Sequence, residues 1–504
     1  MIKFCRDNQK LLIVTFFSTI FVHLIKIVNY YPTWDSVIYG IVKPIDGMIV
    51  TGRWFSGILA YLTSSPYDLQ WVEGVFSALF ISFALVLFLG IFDIRNTKYQ
   101  YISVATFVTL PCVSATLVYP NWAPAYTCAL LFSVLAIYLC VQQKYNRPVV
   151  IILSAVLFTL SLGTYQVYYT FAFLMFLFYI FTRLLNNGKF ADLKSTVINF
   201  IISFFSGAVL YWIINKIVLA VTKVELTDYQ GVSSVHFPDI GEICHAFINS
   251  IRSFILFFMG RLTVAQEGIS FLLLYPIINI VIFILLLICV VKYIIMKNFS
   301  VPVKVIMLFT IILILPLGYA FYFASPKVIY HRLMEFGNYF IYFLLIIFLQ
   351  HCSIKTKKLK QVIILSLAFL SLYNFFNANI AYYQLSISYE KTYFQNIEMA
   401  SKIDELSDDE IKTVAVIGEF QYIEDDLSAN PKITGATTSV FTFSQEHIIR
   451  FANYYLGRSY IACSEDKIEN IKNSAEFKSM KNFPSKSSVR VIDDVVVVKL
   501  DKLE

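Results

Sequence analysis

The chain has 504 residues, of which 58% are hydrophobic and only 14% charged, with 47 Phe and 33 Tyr. That is far too apolar for a soluble enzyme with a charged shell, and the formal net charge of +7 falls mostly in short loops between apolar runs, which argues for membrane orientation over nucleic-acid binding. No CxxC pair, zinc spacing, Gly-rich phosphate loop or dinucleotide fingerprint appears, so the sequence indicates no metal, no nucleotide cofactor and no disulfide framework.

A bilayer core offers no water to backbone amides, so a spanning segment must be a helix of about 20 apolar residues. LLIVTFFSTIFVHLIKIVNYY, Leu11 to Tyr31, is the first such run; Lys3, Arg6 and Lys10 precede it, and without a small-residue cleavage site it reads as an uncleaved anchor. His23 and Lys26, three apart, share one face of it, as a polar seam toward the bundle interior or as a lysine snorkelling to the interface. Next comes the stretch from Asn29 to Leu62, a loop holding Asp35, Asp46 and Arg53. Further apolar segments begin near Trp71, Ile102, Ala123, Val149, Tyr165, Val197, Phe271, Val303, Gly337 and Gln361, which makes eleven expected spans. Counting charges with the N-terminus inside gives the inner segments seventeen cations against three acids (Asp7, Asp93, Asp192), as the positive-inside rule requires. The expected arrangement is therefore a polytopic α-helical bundle over residues 1–390 with its N-terminus cytoplasmic and Asp35 on the outer side. An odd span count sends residues 391–504 to that same outer side.

Composition changes there to mixed charge. TVAVIGEF (Thr413 to Phe420) reads as a buried strand, EHIIRFANYYLG (Glu446 to Gly457) as a helix stopped by glycine, and VRVIDDVVVVKL as a hairpin turning at Asp493-Asp494. Together they predict a small extracytoplasmic α/β domain.

Asp35, flanked by Tyr30, Tyr31, Trp34 and Tyr39, lies where the first span should emerge. A carboxylate at a partly dehydrated interface holds a proton more readily, which suits a general base; a solvated loop aspartate beside an aromatic belt is the plain alternative. Asp46, in PIDG, reads first as a turn residue and second as a catalytic acid or base. Arg53, in TGRWFSG, suits bidentate capture of a lipid phosphate, against simple snorkelling. Lys327, His331 and Arg332 crowd beside Glu335 in an outer loop, where the charge rule disfavours cations; a phosphate gives a reason to hold them there. The long outer segment from Val221 to Ser270 carries His236 and His245, which are not spaced as metal ligands. In GTYQVYYTF, Tyr165 and Gln166 turn between two spans and are placed to line a sugar or lipid site.

WDSVIYG (Trp34 to Gly40), GRWF (Gly52 to Phe55), SLGTYQVYY (Ser161 to Tyr169) and the C-terminal FPSKSSVRVIDDVVVVKL together resemble the GtrII-like glucosyltransferases that decorate O-antigen and related bacterial surface polysaccharides. The resemblance implies an inverting GT-C type glycosyltransferase in the cytoplasmic (inner) membrane, whose donor is a sugar, glucose by family, on polyprenyl phosphate and whose acceptor is a surface polysaccharide or cell-wall glycopolymer. It also implies a companion donor synthase and flippase. Asp35 fits the family's catalytic carboxylate, but this loop reads Trp34-Asp35-Ser36 where the family often has two adjacent acids, which leaves Asp46 or Glu73 to supply a second. Such a transfer needs a base for the acceptor hydroxyl and positive charge for the departing phosphate, with no cofactor. A flippase for lipid-linked sugars, or another transporter, is the competing class; transporters place ionisable groups near the midplane in broken helices and show repeated halves, whereas here the charges gather in loops.

Overall fold

The computed structural model of the chain describes all residues except 1, 34–35, 38–45, 65–66, 120, 143–144, 188–190, 235–237, 260–273, 297–298, 326, 352–355, 407–412, 420–443 and 501–504. Its helices in chain order are α1 (Ile2–Asp7), α2 (Gln9–Val22), α3 (Leu24–Val28), α4 (Ser56–Ser64), α5 (Gln70–Ile91), α6 (Thr97–Val108), α7 (Pro111–Leu117), α8 (Ala123–Gln142), α9 (Arg147–Thr164), α10 (Val167–Asn187), α11 (Lys194–Thr222), α12 (Ile240–Met259), α13 (Leu274–Met296), α14 (Val301–Leu317), α15 (Phe340–His351) and α16 (Lys357–Asp404). Eight of them are long and apolar enough to cross a membrane, or nine if the bent pair α6 and α7 counts as one span.

Seven of these long helices and the bent pair coincide with expected spans, and shorter apolar helices over Gln9–Val22, Val301–Thr310 and Phe336–His351 fall where three more were expected, so by length and apolarity the described helices give eight or nine candidate spans where eleven were expected. The bend has a local cause. Leu110, held extended before Pro111, cannot continue α6, and Pro111 has no amide hydrogen to carry the ladder across, so the axis turns by 50°. The eighth long helix, α12, falls inside the segment expected to be an outer loop. The last third of this helix bonds the bundle: Tyr319 Oη donates to the Ser253 carbonyl at 3.1 Å, and Asn279 Nδ2 of α13 donates to the Phe258 carbonyl at 2.8 Å.

Aromatic packing fills the bundle. Phe176 stacks on Phe200 and Tyr169 on Phe204, each pair with ring centroids 3.7 Å apart, at the meeting of α10 with α11. Gly207 lets α11 close on α9, since a Cβ there would meet Phe158 at 2.7 Å. His23, buried inside the bundle, finds partners across helices: it bonds the Tyr382 hydroxyl at 2.7 Å and the Val108 carbonyl at 2.8 Å, linking the first span to α16 and α6. The polar seam expected from His23 and Lys26 is present. Lys26 does not snorkel; it is buried and donates to the Tyr31 carbonyl at 2.9 Å.

Helix α16 runs unbroken for 48 residues and carries the C-terminal α/β unit on its far half. That unit holds a sheet of order β2-β1-β4-β3, from β1 (Thr413–Ile417), β2 (Ile461–Ala462), β3 (Val489–Ile492) and β4 (Val495–Lys499), with β1 parallel to β2 and β4 and the β3–β4 pair antiparallel. Asp493 and Asp494 both adopt positive φ in the turn, the backbone a two-residue hairpin needs. Alternation along β1 and β4 sends Val414, Val416, Val496 and Val498 against Met399 and Ile403 of α16 and against α17 (Gln445–Tyr455), while Ala415, Ile417, Val495 and Val497 face α18 (Glu465–Asn473) and α19 (Ala475–Lys478).

Candidate active site

Two motifs far apart in sequence interlock at one end of the bundle. A 3-10 turn over Asp46–Thr51 leads into Gly52, whose φ of +74° turns the chain back. Only glycine fits: the Tyr211 hydroxyl donates to the Gly52 carbonyl at 3.0 Å, and a Cβ would sit 2.7 Å from that oxygen. Phe55 N–H then donates to the Gly163 carbonyl at 2.7 Å, and Gly163 lies so close under Trp54 that a Cβ would come within 2.6 Å of its ring. The GRWF and GTYQ segments are therefore in direct contact.

This contact builds the surroundings of Arg53. Its guanidinium carbon lies 4.7 Å from the centroid of the Tyr165 ring, Nε donates to Gln166 Oε1 at 3.3 Å, and Nη1 donates to the Tyr126 hydroxyl at 3.3 Å. Tyr126 and Tyr165 are themselves stacked, with centroids 4.4 Å apart, and Gln166 is oriented by donating from Nε2 to the Thr51 carbonyl at 3.0 Å. Each of these partners is neutral, and among the described residues no carboxylate pairs with Arg53. The side chain is half-buried.

His331 comes to the same place. Burial, with the charge of Arg53 adding to it, holds its pKa below the ordinary histidine range. Gln230 Nε2 donates to His331 Nε2 at 3.2 Å, a contact that takes a neutral ring with its proton on Nδ1. The segment bearing Gln230 is tied to the Arg53 loop through Thr227 N–H, which donates to the Val50 carbonyl at 2.9 Å.

The two other cations of this loop are engaged differently. Arg332 donates from Nη1 to Glu335 Oε2 at 3.0 Å, Tyr319 donates to the other carboxylate oxygen at 2.9 Å, and the guanidinium stands 5.0 Å from the Phe257 centroid. Burial raises the Glu335 pKa, while Arg332 and the Tyr319 hydroxyl act to lower it. Lys327 pairs with Asp228 at 2.5 Å where both side chains are more than half exposed, a geometry of little energetic weight.

Asp35 lies outside the described residues, as does the side chain of Asp46, whose backbone opens the 3-10 turn before Arg53. Around Asp35, Val37 N–H donates to the Thr33 carbonyl at 3.0 Å and Ser36 Oγ donates to Asn121 Oδ1 at 3.2 Å. Tyr126, Tyr211 and Gln230 join the site without any spacing to mark them beforehand, since a tyrosine at a span end looks like any interfacial aromatic. Among the described residues, no group of three or more His, Cys, Asp or Glu side chains is placed to hold a metal ion.

The sequence family described as Glucosyl transferase GtrII matches residues 24–372, which takes in three of the four motifs named above and all of the interlocked segments around Arg53. No curated protein and no solved structure matches the chain. The family match covers well over half of the chain, and its bounds enclose every residue of the Arg53 site, so the chain belongs to the GtrII glucosyl transferase family.

Proposed function

We propose that the protein moves glucose from a polyprenyl-phosphate carrier to a surface polysaccharide, at the extracytoplasmic face of a bacterial inner membrane. The observation that carries this reading is Arg53, a half-buried guanidinium whose described partners are all neutral. Dehydrating a cation is costly, and a protein that does so without a carboxylate leaves the charge available to an incoming anion.

In the proposed reaction the acceptor hydroxyl oxygen forms a bond to the anomeric carbon of the lipid-linked sugar. Its proton passes to Asp35, with Asp46 of the same loop or Glu73 in the first turn of α5 as the second acid, and the bond from the anomeric carbon to the phosphate oxygen breaks with its electron pair on phosphate. The charge gathering on that phosphate is met by Arg53, and Gln166 and Tyr165 fix the guanidinium plane. Attack opposite the leaving group inverts the anomeric centre, as in GT-C enzymes. His331 lines the phosphate side, while Arg332 and Lys327, each paired with a carboxylate, brace the loop that carries it. Companion enzymes would make and flip the donor.

The side assignment rests on the loop charges, with the cation-rich segments cytoplasmic. We read α12 as lying at the outer end of the bundle, since the cation-rich segments after it stay on the cytoplasmic side only if its two flanking loops share one side. The unit carried by α16 would then be extracytoplasmic, resting above the membrane part. The test is incubation of the purified protein with polyprenyl-phosphate glucose and oligosaccharides of the host polysaccharide. Glycan-dependent release of free polyprenyl phosphate supports the reading, and translocation of intact donor without its cleavage would replace it with a flippase.

A further inference from the structure

Where the far half of α16 meets α17 there is an open cleft of about 620 Å³, lined by Tyr393, Ser401, Asp404, Glu405, Tyr455 and Arg458. The family match ends at residue 372, so it assigns nothing to this cleft. We infer that it binds a carbohydrate, and that this carbohydrate is the acceptor glycan.

The lining has the two surfaces that a sugar presents in reverse. A pyranose has an apolar face of C–H groups and a rim of hydroxyls, so it is held by an aromatic floor with polar groups at the edge. Tyr393 and Tyr455 are the half-buried floor, and both lean on Phe451, with centroids 6.2 and 4.7 Å away. Tyr393, Ser401 and Asp404 fall eight and then three residues apart, so they line one stripe of α16. At the rim, Asp404 accepts from Arg458 at 2.8 Å and from the Tyr460 hydroxyl at 2.5 Å, which fixes both charges in place. A fixed carboxylate beside a fixed guanidinium can accept from one hydroxyl and donate to its neighbour, and Glu405 and Ser401 extend the row. Lipid tails would want fewer charges, and a phosphate would not choose a rim with two carboxylates against one arginine.

Position links the cleft to the chemistry. The hydroxyl of Tyr455, a floor residue, meets that of Tyr30 at 3.0 Å, and Tyr30 stands five residues before Asp35 on the first loop. A glycan in the cleft therefore lies beside the loop that carries the proposed base. That it is the acceptor rests on the glucosyl-transfer reading above; that the cleft binds a carbohydrate does not.

The experiment uses the full chain in lipid nanodiscs and, as probe, oligosaccharides freed by mild acid from the host's own surface polysaccharide, with binding followed by saturation-transfer NMR. Wild type should bind, and Tyr393→Ala should weaken the Kd about tenfold, the loss expected when one aromatic anchor goes. Glu405→Gln, which keeps size and fold, should weaken it about threefold by removing one charge-assisted bond at an exposed rim. Tyr454→Ala, outside the cleft, serves as control. Absence of wild-type binding, or wild-type affinity in both cleft variants, overturns the inference. Glucose transfer is measured separately on the same samples: binding without transfer removes the acceptor role and leaves the carbohydrate site, whereas transfer with unaltered binding in the variants leaves the enzyme and removes the site.

Discussion

Arg53 and Arg332 are both drawn out of water at the same end of the bundle, yet their described partners differ in kind. Arg332 meets a carboxylate at 3.0 Å and is closed by it, whereas Arg53 is surrounded by a tyrosine face, a tyrosine hydroxyl and a glutamine oxygen. The carboxylate gives Arg332 a permanent counter-ion and makes the pair a structural brace between Tyr319 and Phe257. Arg53 has no such counter-ion among the described residues, and in the proposed reaction its charge meets the donor phosphate. Two arginines that look equally suited to phosphate in the sequence are thus separated by what stands three residues away in one case and 73 to 113 residues away in the other.

The largest effect expected bears on whether Arg53 sits beside the chemistry at all. Asp35→Asn keeps shape and removes basicity, so glucose transfer should fall by about 10² to 10⁴ while donor binding stays normal. If Asp46→Asn is the variant that fails, the base lies at the other end of the same loop. Arg53→Ala comes next. It should lower kcat/KM for the lipid donor by roughly 10- to 150-fold, the worth of one charge-assisted contact, and Arg53→Lys should recover little because the planar fork is lost. Arg332→Ala should act through stability instead, costing about 3 kcal/mol in thermal or denaturant unfolding by leaving Glu335 buried without its partner. The double change Arg332→Met with Glu335→Leu should regain most of that. A loss of donor affinity with unchanged stability in Arg332→Ala would erase the distinction between the two arginines.

The smallest effect is a pH slope. His331 has a folded-state pKa held below its ordinary 6.5 by burial and by Arg53. As pH falls below 6.5 the unfolded chain gains a proton that the folded chain refuses, so the stability present above that value is lost progressively until the folded-state pKa is passed. Wild type should therefore lose more thermal midpoint on acidification than His331→Gln, which cannot titrate there, and adding Arg53→Ala should flatten the wild-type slope.

Much of this was legible in the chain beforehand. Apolar runs marked the helices, and the hairpin at Asp493-Asp494, the strand at Thr413 and the glycine stop at Gly457 came back where local chemistry put them. Arg53, Tyr165, Gln166 and His331 were named from their motifs, but their meeting was not, because no periodicity connects Arg53 to Gln166 across 113 positions. Helix α12 was hidden by Glu242, His245 and Arg252, which make it look like a loop by composition while occupying one strip of its surface. Helix α16 was underestimated for the converse reason. The rise in charge near Glu390 reads as a change of compartment, yet Glu398 and Lys402, four apart and 2.9 Å from each other, continue the same helix.

That single helix of 48 residues has a mechanical consequence. It is a rod about 72 Å long, and its phase is fixed at about 100° per residue, so the bundle dictates both the height and the facing of everything bolted to its far end. Lengthening it outward by one residue would swing the sheet and its neighbouring cleft a quarter-turn away from Tyr30 while lifting them by only about 1.5 Å. Seven added residues would restore the facing to within about 20° and raise the same parts by about 10 Å. Angle and distance are therefore separately adjustable along this rod, like the thread and the length of a screw, and the present length is the one at which Tyr455 comes to rest on Tyr30.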